Sequence, residues 1–79
     1  MKIKLLLFGI FTDIFKGNQI TLEVPEALTV AQLKAYIVKK YPEAASLNFA
    51  VAVDETYAVD NSIIKENQVV ALIPPVSGG

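Results

Sequence analysis

The chain has 79 residues, of which 53% are apolar and 19% are charged, and its net charge is −1. This length allows a single domain, and the apolar fraction excludes intrinsic disorder. Because the chain contains no cysteine, histidine or arginine, thiol nucleophiles, iron–sulfur clusters, disulfides, Cys/His zinc sites and Ser–His–Asp triads are excluded, and the dense basic face of a nucleic-acid-binding protein is not expected.

The charges are divided unevenly along the chain. Residues 1–40 contain six lysines and three acids, a balance of +3, whereas residues 41–79 contain one lysine and five acids, a balance of −4. An ordinary solvated surface is the simpler interpretation, and a basic partner for the acidic half is the alternative.

The N-terminal segment carries an apolar run from Leu5 to Phe11 after two lysines. The run is at the lower limit for a signal peptide, and no small-residue cleavage site follows it. It is also too short to span a bilayer. We therefore expect a soluble, cytoplasmic protein with no membrane association.

Two strands are predicted near the N-terminus. The first, Lys2 to Phe8, is apolar on both faces toward its end, which favours a central or covered strand. A loop is predicted from Gly9 to Asn18. The second strand, Gln19 to Val24, alternates between polar and apolar residues and is typical of a half-buried strand. The two strands are expected to form a hairpin with a wide loop.

A helix is predicted in the middle of the chain. Thr29 and Gln32 fit a capping box, in which each side chain satisfies a backbone N–H of the first turn. An apolar stripe at helical spacing follows, made of Val30, Leu33, Ile37 and Tyr41. Pro42 ends the helix, and residues 43–47 are predicted to form a short helical turn.

The second half contains the remaining predicted strands, Asn48 to Val53, Tyr57 to Val59 and Gln68 to Ile73. Ile63 and Ile64 are expected to fill the core. The order ββαββ(β) predicts an α+β, β-grasp fold with a mixed sheet of four or five strands packed on one main helix. Connection rules place the last strand beside the first, in parallel.

Four acids fall in predicted turns, and they are Asp54, Glu55, Asp60 and Glu66. Hydrogen bonds to the backbone are the simpler interpretation of acids in turns. An oxygen-ligand metal site is the less favoured alternative, and we expect no bound metal.

The sequence divides into a domain over residues 1–73 and an extended tail over residues 74–79. The tail consists of Pro74, Pro75, Val76, Ser77, Gly78 and Gly79. Its prolines favour an extended path of roughly 19 Å, at about 3.1 Å per residue. The two final glycines leave the terminal carboxylate unhindered and can thread a narrow channel. A frayed terminus is the simpler interpretation of such a segment.

The run from Val70 to Gly79 resembles the C-terminus of the small, sulfur-carrier subunits of molybdopterin synthase, a ubiquitin-like β-grasp family. Its Pro-Pro-Val-Ser-Gly-Gly motif is specific to that family, since related thiamine-pathway carriers usually lack the Pro-Pro pair and ubiquitin-type modifiers tend to carry Arg before the glycines. The resemblance covers the whole chain through the Leu-rich first strand, Thr29-Val30, Tyr41-Pro42 and Ala52-Val53.

The chain departs from the family pattern at three places. Phe11-Thr12-Asp13 stands where an Arg-containing segment is common, Asp54 where Asn is common, and Glu66-Asn67-Gln68 where Asp-Gly-Asp is common. Asn67 tolerates the left-handed conformation that Gly would adopt, so we expect that turn to be kept.

The resemblance implies a carrier whose Gly79 is adenylated by an ATP-dependent activating enzyme and then converted to a thiocarboxylate. The tail residues Gly78, Ser77, Val76, Pro75 and Pro74 would thread into the large synthase subunit, which supplies catalytic lysines. Two carriers and two large subunits would form a heterotetramer that converts cyclic pyranopterin monophosphate into a dithiolene. The chain alone would be non-catalytic and bind no cofactor, with ATP used by the activating enzyme.

Three other interpretations stay open. The chain could carry sulfur for another pathway, such as thiamine or amino-acid synthesis. It could be a protein modifier whose Gly79 forms isopeptide bonds with lysines. It could also be an interaction domain with an inert tail.

Strand phase predicts an apolar patch on the side of the sheet that faces away from the helix. The patch consists of Leu6, Phe8, Ala71 and Ile73, continued by Ala50 and Ala52. Monomeric proteins usually keep such patches small, so we expect a partner to dock here, with Phe8 and Ile73 as its anchors. The alternative is that Phe11 to Phe15 folds back over the patch as a lid.

Overall fold

The N-terminal hairpin forms one side of the main sheet. In the computed structural model, which describes residues 1–75, β1 (Lys2–Leu7) and β2 (Gln19–Glu23) pair in antiparallel fashion. The predicted hairpin is therefore confirmed. The connection is not the predicted loop over residues 9–18, because it contains a helix, α1 (Ile10–Phe15).

Helix α1 is stabilised by burial of its two phenylalanines. Phe11 is fully buried at 0% exposure, and Phe15, one turn later, is also buried. The Phe11 ring meets Phe49 edge to face at 5.2 Å between centroids, and the Phe15 ring lies 4.1 Å from that of Tyr41. The alternative of a lid over the outer patch is therefore wrong, since both rings pack into the core on the helix side.

The main helix, α2 (Val30–Lys40), begins at the predicted capping box. Thr29 Oγ1 accepts a hydrogen bond from the Gln32 N–H at 3.1 Å, and Gln32 Oε1 accepts one from the Thr29 N–H at 2.9 Å. The buried side chains of the helix are Val30, Leu33 and Ile37 of the predicted stripe. Tyr41, the fourth residue of that stripe, is the C-cap and is half-buried. A 3-10 helix (Pro42–Ser46) follows, close to the predicted helical turn.

A short strand pair lies beside the start of α2. Strand β3 (Leu28–Thr29) pairs in antiparallel fashion with β6 (Ile63–Ile64). Ile64 is fully buried, but Ile63 is 56% exposed. The expectation that both isoleucines fill the core is therefore wrong for Ile63, because successive residues of a strand point to opposite faces.

Three more strands join β1 and β2 in the main sheet. Strand β7 (Val69–Ile73) runs parallel to β1, as predicted, and β4 (Ala50–Val53) and β5 (Thr56–Tyr57) complete the sheet in antiparallel fashion. The order of the five strands is β2-β1-β7-β4-β5. One face of this sheet packs with α1 and α2 around a single apolar core. The predicted α+β, β-grasp fold is confirmed.

Two further points concern the limits of the domain. None of the helices within residues 1–75 is long and apolar enough to cross a membrane. Residues 76–79 lie outside the described part of the chain, so the division into a domain over 1–73 and a tail over 74–79 stays a prediction.

Substitution of Phe11 tests whether α1 belongs to the core. Phe11→Ala should lower the free energy of unfolding by about 3–5 kcal/mol, because it removes a fully buried ring. Ile10→Ala is the matched control, since Ile10 lies in the same helix and is 46% exposed. It should change the free energy by less than ~1 kcal/mol in urea unfolding. Equal, small effects of the two substitutions would show that α1 does not support the fold.

Candidate docking face and tail root

The side of the main sheet that faces away from α2 is called the outer face here. At its centre, Leu6 of β1 lies beside Ala71 of β7, and Ala71 lies opposite Ala52 of β4. Ile73 follows two residues after Ala71 on the same face, opposite Ala50. The strand register therefore places the predicted patch residues of three strands side by side.

These residues line a shallow depression with a volume of about 260 Å³. The residues that line it are Leu6, Phe8, Ala52, Glu55, Tyr57, Val69, Ala71 and Ile73. All four predicted interface residues are among them, and Ala52 is the predicted continuation. Their role in binding a partner stays a prediction.

The shape of the depression follows from side-chain size. Ala52 and Ala71 meet across β4 and β7 and, having only a Cβ atom, leave the floor low. Phe8 and Tyr57 stand at the margin and are 47% and 72% exposed. Large exposed aromatic rings beside small residues leave a depression that a partner's apolar side chains can fill.

Three residues that line the depression were not predicted from the sequence, and they are Glu55, Tyr57 and Val69. Tyr57 reaches the face because β5 pairs with β4 in a register that sets Tyr57 opposite Ala52. The tight turn at Asp54 and Glu55, both with positive φ (49° and 70°), determines that register, and the alternation within one strand could not reveal it.

The tail begins at the margin of the outer face. Strand β7 ends at Ile73, and Pro74 is half-buried while Pro75 is exposed. A partner that covers Ile73 would therefore also meet Pro74 and Pro75, which are called the tail root here. The other predicted tail residues, Val76, Ser77, Gly78 and Gly79, lie outside the described part of the chain, and their roles stay predictions.

Asp54 stabilises the turn beside this face. Its Oδ1 accepts a hydrogen bond from the Val69 N–H at 3.0 Å, and its Oδ2 accepts one from Gln68 Nε2 at 3.2 Å. Its own N–H donates to the Val69 carbonyl at 2.8 Å. Asp54 thus links the end of β4 to the start of β7 by hydrogen bonds. Asn67, which precedes β7, has the predicted left-handed conformation with φ 70°.

The remaining acids do not form a metal site within the described chain. Asp60 pairs with Lys34 at 2.9 Å on the surface. Across residues 1–75, no group of three or more Asp or Glu side chains is arranged to hold a metal ion.

Comparison with known proteins places these features in a family. The ThiS family model matches residues 5–79. The molybdopterin synthase sulfur carrier subunit of Arabidopsis thaliana is 31% identical over 81 residues, which cover 100% of this chain and 84% of that protein.

Solved structures share the fold. A Pyrococcus furiosus protein, provisionally described as molybdopterin converting factor subunit 1, has a TM-score of 0.86 at 23% identity and covers 96% of this chain and 99% of its own. SAMP1, a small archaeal modifier protein from Haloferax volcanii, has a TM-score of 0.81 at 20% identity, with 100% of both chains covered. A complex of subunits 1 and 2 of the molybdopterin-converting factor from Helicobacter pylori 26695 gives 0.67 at 25% identity, again with 100% of both chains covered.

Proposed function

The chain belongs to the ThiS family, and we propose that it is the sulfur-carrier subunit of a molybdopterin synthase. The observation that carries this proposal is the match, over the whole chain, to the Arabidopsis thaliana subunit of that name. The Pro-Pro-Val-Ser-Gly-Gly ending supports it, because that ending begins directly after β7 at the margin of the outer face.

The sulfur is carried at the terminal carboxyl group of Gly79. The chain has no cysteine, so none of its side chains can hold a persulfide. A carboxylate is a poor electrophile, and an ATP-dependent activating enzyme first converts it into an acyl adenylate with release of pyrophosphate. A sulfur nucleophile at the oxidation level of sulfide, delivered by a sulfur donor, then attacks the acyl carbon. AMP leaves, and a thiocarboxylate remains on Gly79. Gly78 and Gly79 have no Cβ atom, so the reacting carbon is open to attack from both sides.

The depression on the outer face is the proposed docking site for the large synthase subunit. It offers an apolar floor at Ala52 and Ala71 with Phe8 at its margin. The tail root at Pro74 follows the last residue of the same face. A large subunit that covers the depression therefore receives the tail at a defined position. The Helicobacter pylori complex of subunits 1 and 2 supports a partner of this kind.

In the assembled synthase the chain acts as a co-substrate. Its tail delivers the thiocarboxylate of Gly79 to the active site of the large subunit, whose lysines carry out the catalysis. Two carriers serve a dimer of large subunits in the cytoplasm, and their sulfurs form the dithiolene on cyclic pyranopterin monophosphate. The carrier itself holds no cofactor, and ATP is consumed on the activating enzyme.

A second candidate function is protein modification. The fold likeness to SAMP1 from Haloferax volcanii and the Gly-Gly ending favour it, because an activated glycine reacts with a lysine amine as well as with sulfur. The two functions share the adenylation step and differ in the acceptor. The identity of the group attached to Gly79 therefore separates them.

Deletion of Gly79 tests the proposed acyl group. The variant should form no thiocarboxylate, and a chain extended by one alanine after Gly79 should behave in the same way. Both should unfold at the wild-type temperature, because Leu72 is the last buried residue within the described chain. The measurement is intact mass after incubation with the activating enzyme, ATP and a sulfur donor. Normal thiocarboxylate formation by either variant would contradict the proposed chemistry.

Substitution in the depression tests the proposed docking site. Phe8→Asp should weaken binding to the large subunit by more than ~2 kcal/mol, because it places a charge where an aromatic anchor is expected. The free energy of unfolding should change by less than ~1 kcal/mol, since the ring is about half exposed. Binding is measured by calorimetry and folding by urea unfolding.

The matched control for this substitution is Ile63→Asp. Ile63 is 56% exposed but lies in the separate β3–β6 pair, so its variant should bind the large subunit normally. Ile73→Asp is a second variant on the docking face and should also lose binding. Equal binding by the Phe8 and Ile63 variants would contradict docking on the outer face. Loss of folding on Phe8→Asp would place Phe8 in the core instead.

A further inference from the structure

The first residue of the tail root packs against a glycine at the start of α1. A Cβ atom built on Gly9 would lie 2.9 Å from Pro74 Cγ and 3.8 Å from Pro74 Cβ. Real Cβ atoms essentially never approach another atom as closely as the first of these distances. Gly9 and Pro74 are therefore in direct contact, and this contact exists because Gly9 has no side chain.

The backbone of Gly9 is held in place from the other side. Its carbonyl accepts hydrogen bonds from the Thr12 N–H at 3.0 Å and from Thr12 Oγ1 at 2.7 Å. Its φ of 55° and ψ of −131° lie outside the regions that residues with a Cβ atom adopt without strain. The helix that follows is anchored by the buried ring of Phe11. The backbone of Gly9 is thus held in place within the domain.

Pro74 is fixed less firmly. Ile73 is the last residue of β7 and pairs with Ala50, whereas Pro74 has no N–H and cannot extend the ladder. Its ring is half-buried, and Gly9 lies against it. When Gly9 acquires a side chain, the tail root can move away while the sheet keeps its pairing. A side chain at Gly9 therefore acts first on the position of Pro74.

We propose that Gly9 is a positioning residue for sulfur transfer. Pro74 packs against Gly9, and this contact sets the direction in which the tail leaves the domain. The inference rests on the proposed function, in which the tail must reach an active site on the large subunit. Misplacing a reacting group by about 1 Å can lower a rate on the order of a hundredfold. A shift of Pro74 also shifts Pro75, to which it is bonded.

The test uses the full-length chain carrying Gly9→Ala. Each carrier is prepared as its C-terminal thiocarboxylate by cleavage of an intein fusion with sulfide, so that loading does not depend on the activating enzyme. Sulfur transfer is then measured with the large subunit. Gly9→Ala should lower kcat by about tenfold or more and change KM for the carrier by less than about threefold, because the depression that docks the partner is left intact.

Gly17→Ala is the matched control. It is the same substitution at the other end of α1, where an added Cβ meets nothing within 4 Å and φ lies outside the left-handed region. Its kcat and KM should equal those of the wild type. A kcat of Gly9→Ala within about twofold of the wild-type value would overturn the inference.

A second substitution separates positioning from a general loss of stability. Pro74→Ala removes the Cγ atom that lies 2.9 Å from the added Cβ. In that background Gly9→Ala should lower kcat by less than about threefold, because the steric conflict is gone. Its unfavourable φ remains, so it should lower the unfolding temperature by a similar amount, roughly 5–15 °C, in both backgrounds. An equal loss of kcat in both backgrounds would show a merely structural role.

The outcome also distinguishes the inference from the proposed function. If the wild-type thiocarboxylate transfers no sulfur to the large subunit, the proposed function fails. The contact between Gly9 and Pro74 is then tested by proton NMR of the wild-type chain. Nuclear Overhauser contacts between the Gly9 α-protons and the Pro74 ring protons would support it, and their absence would overturn it.

Discussion

The parallel pairing of β7 with β1 is the constraint on which the rest of the structure depends. Leu5 lies beside Val70 and Leu6 beside Ala71 in this pairing. Because side chains alternate along a strand, the first pair faces the core and the second faces outward. The same ladder therefore forms the floor of the core and the floor of the outer depression. It also brings the last strand to the middle of the sheet, so the tail follows a strand that is paired with a neighbour on each side.

Helix α1 links the core to the tail. Its buried phenylalanines belong to the same apolar core as the buried side of α2, and its first residue is preceded by Gly9, which lies against Pro74. Pro74 therefore lies between two parts of the domain, the end of β7, to which it is bonded, and Gly9 at the start of α1. Positioning by packing suits a chain whose described residues bury no polar or charged side chain and whose proposed chemistry uses its main-chain terminus.

Much of the fold follows from local patterns in the sequence. Alternation identified β1, β2 and β7, the Thr29 capping box located α2, and connection handedness gave the parallel pairing. Helix α1 could not be predicted, because a six-residue helix is unstable alone and exists through tertiary burial of Phe11. The outer-face patch followed from strand phase, whereas Tyr57 joins it through a turn with two positive φ angles. The contact of Gly9 with Pro74 joins residues 65 positions apart in sequence, which no local pattern reveals.

The central claim is that Gly79 carries sulfur, and intact-mass spectrometry of the protein purified from its own host tests it most directly. A sulfur carrier should be present in part as a species heavier than the calculated chain by the difference between one sulfur and one oxygen atom, with fragmentation placing that difference on Gly79. An unmodified terminus in cells that are producing the cofactor would contradict the claim. So would Gly79 found in isopeptide bonds with lysines of other proteins and never as a thiocarboxylate.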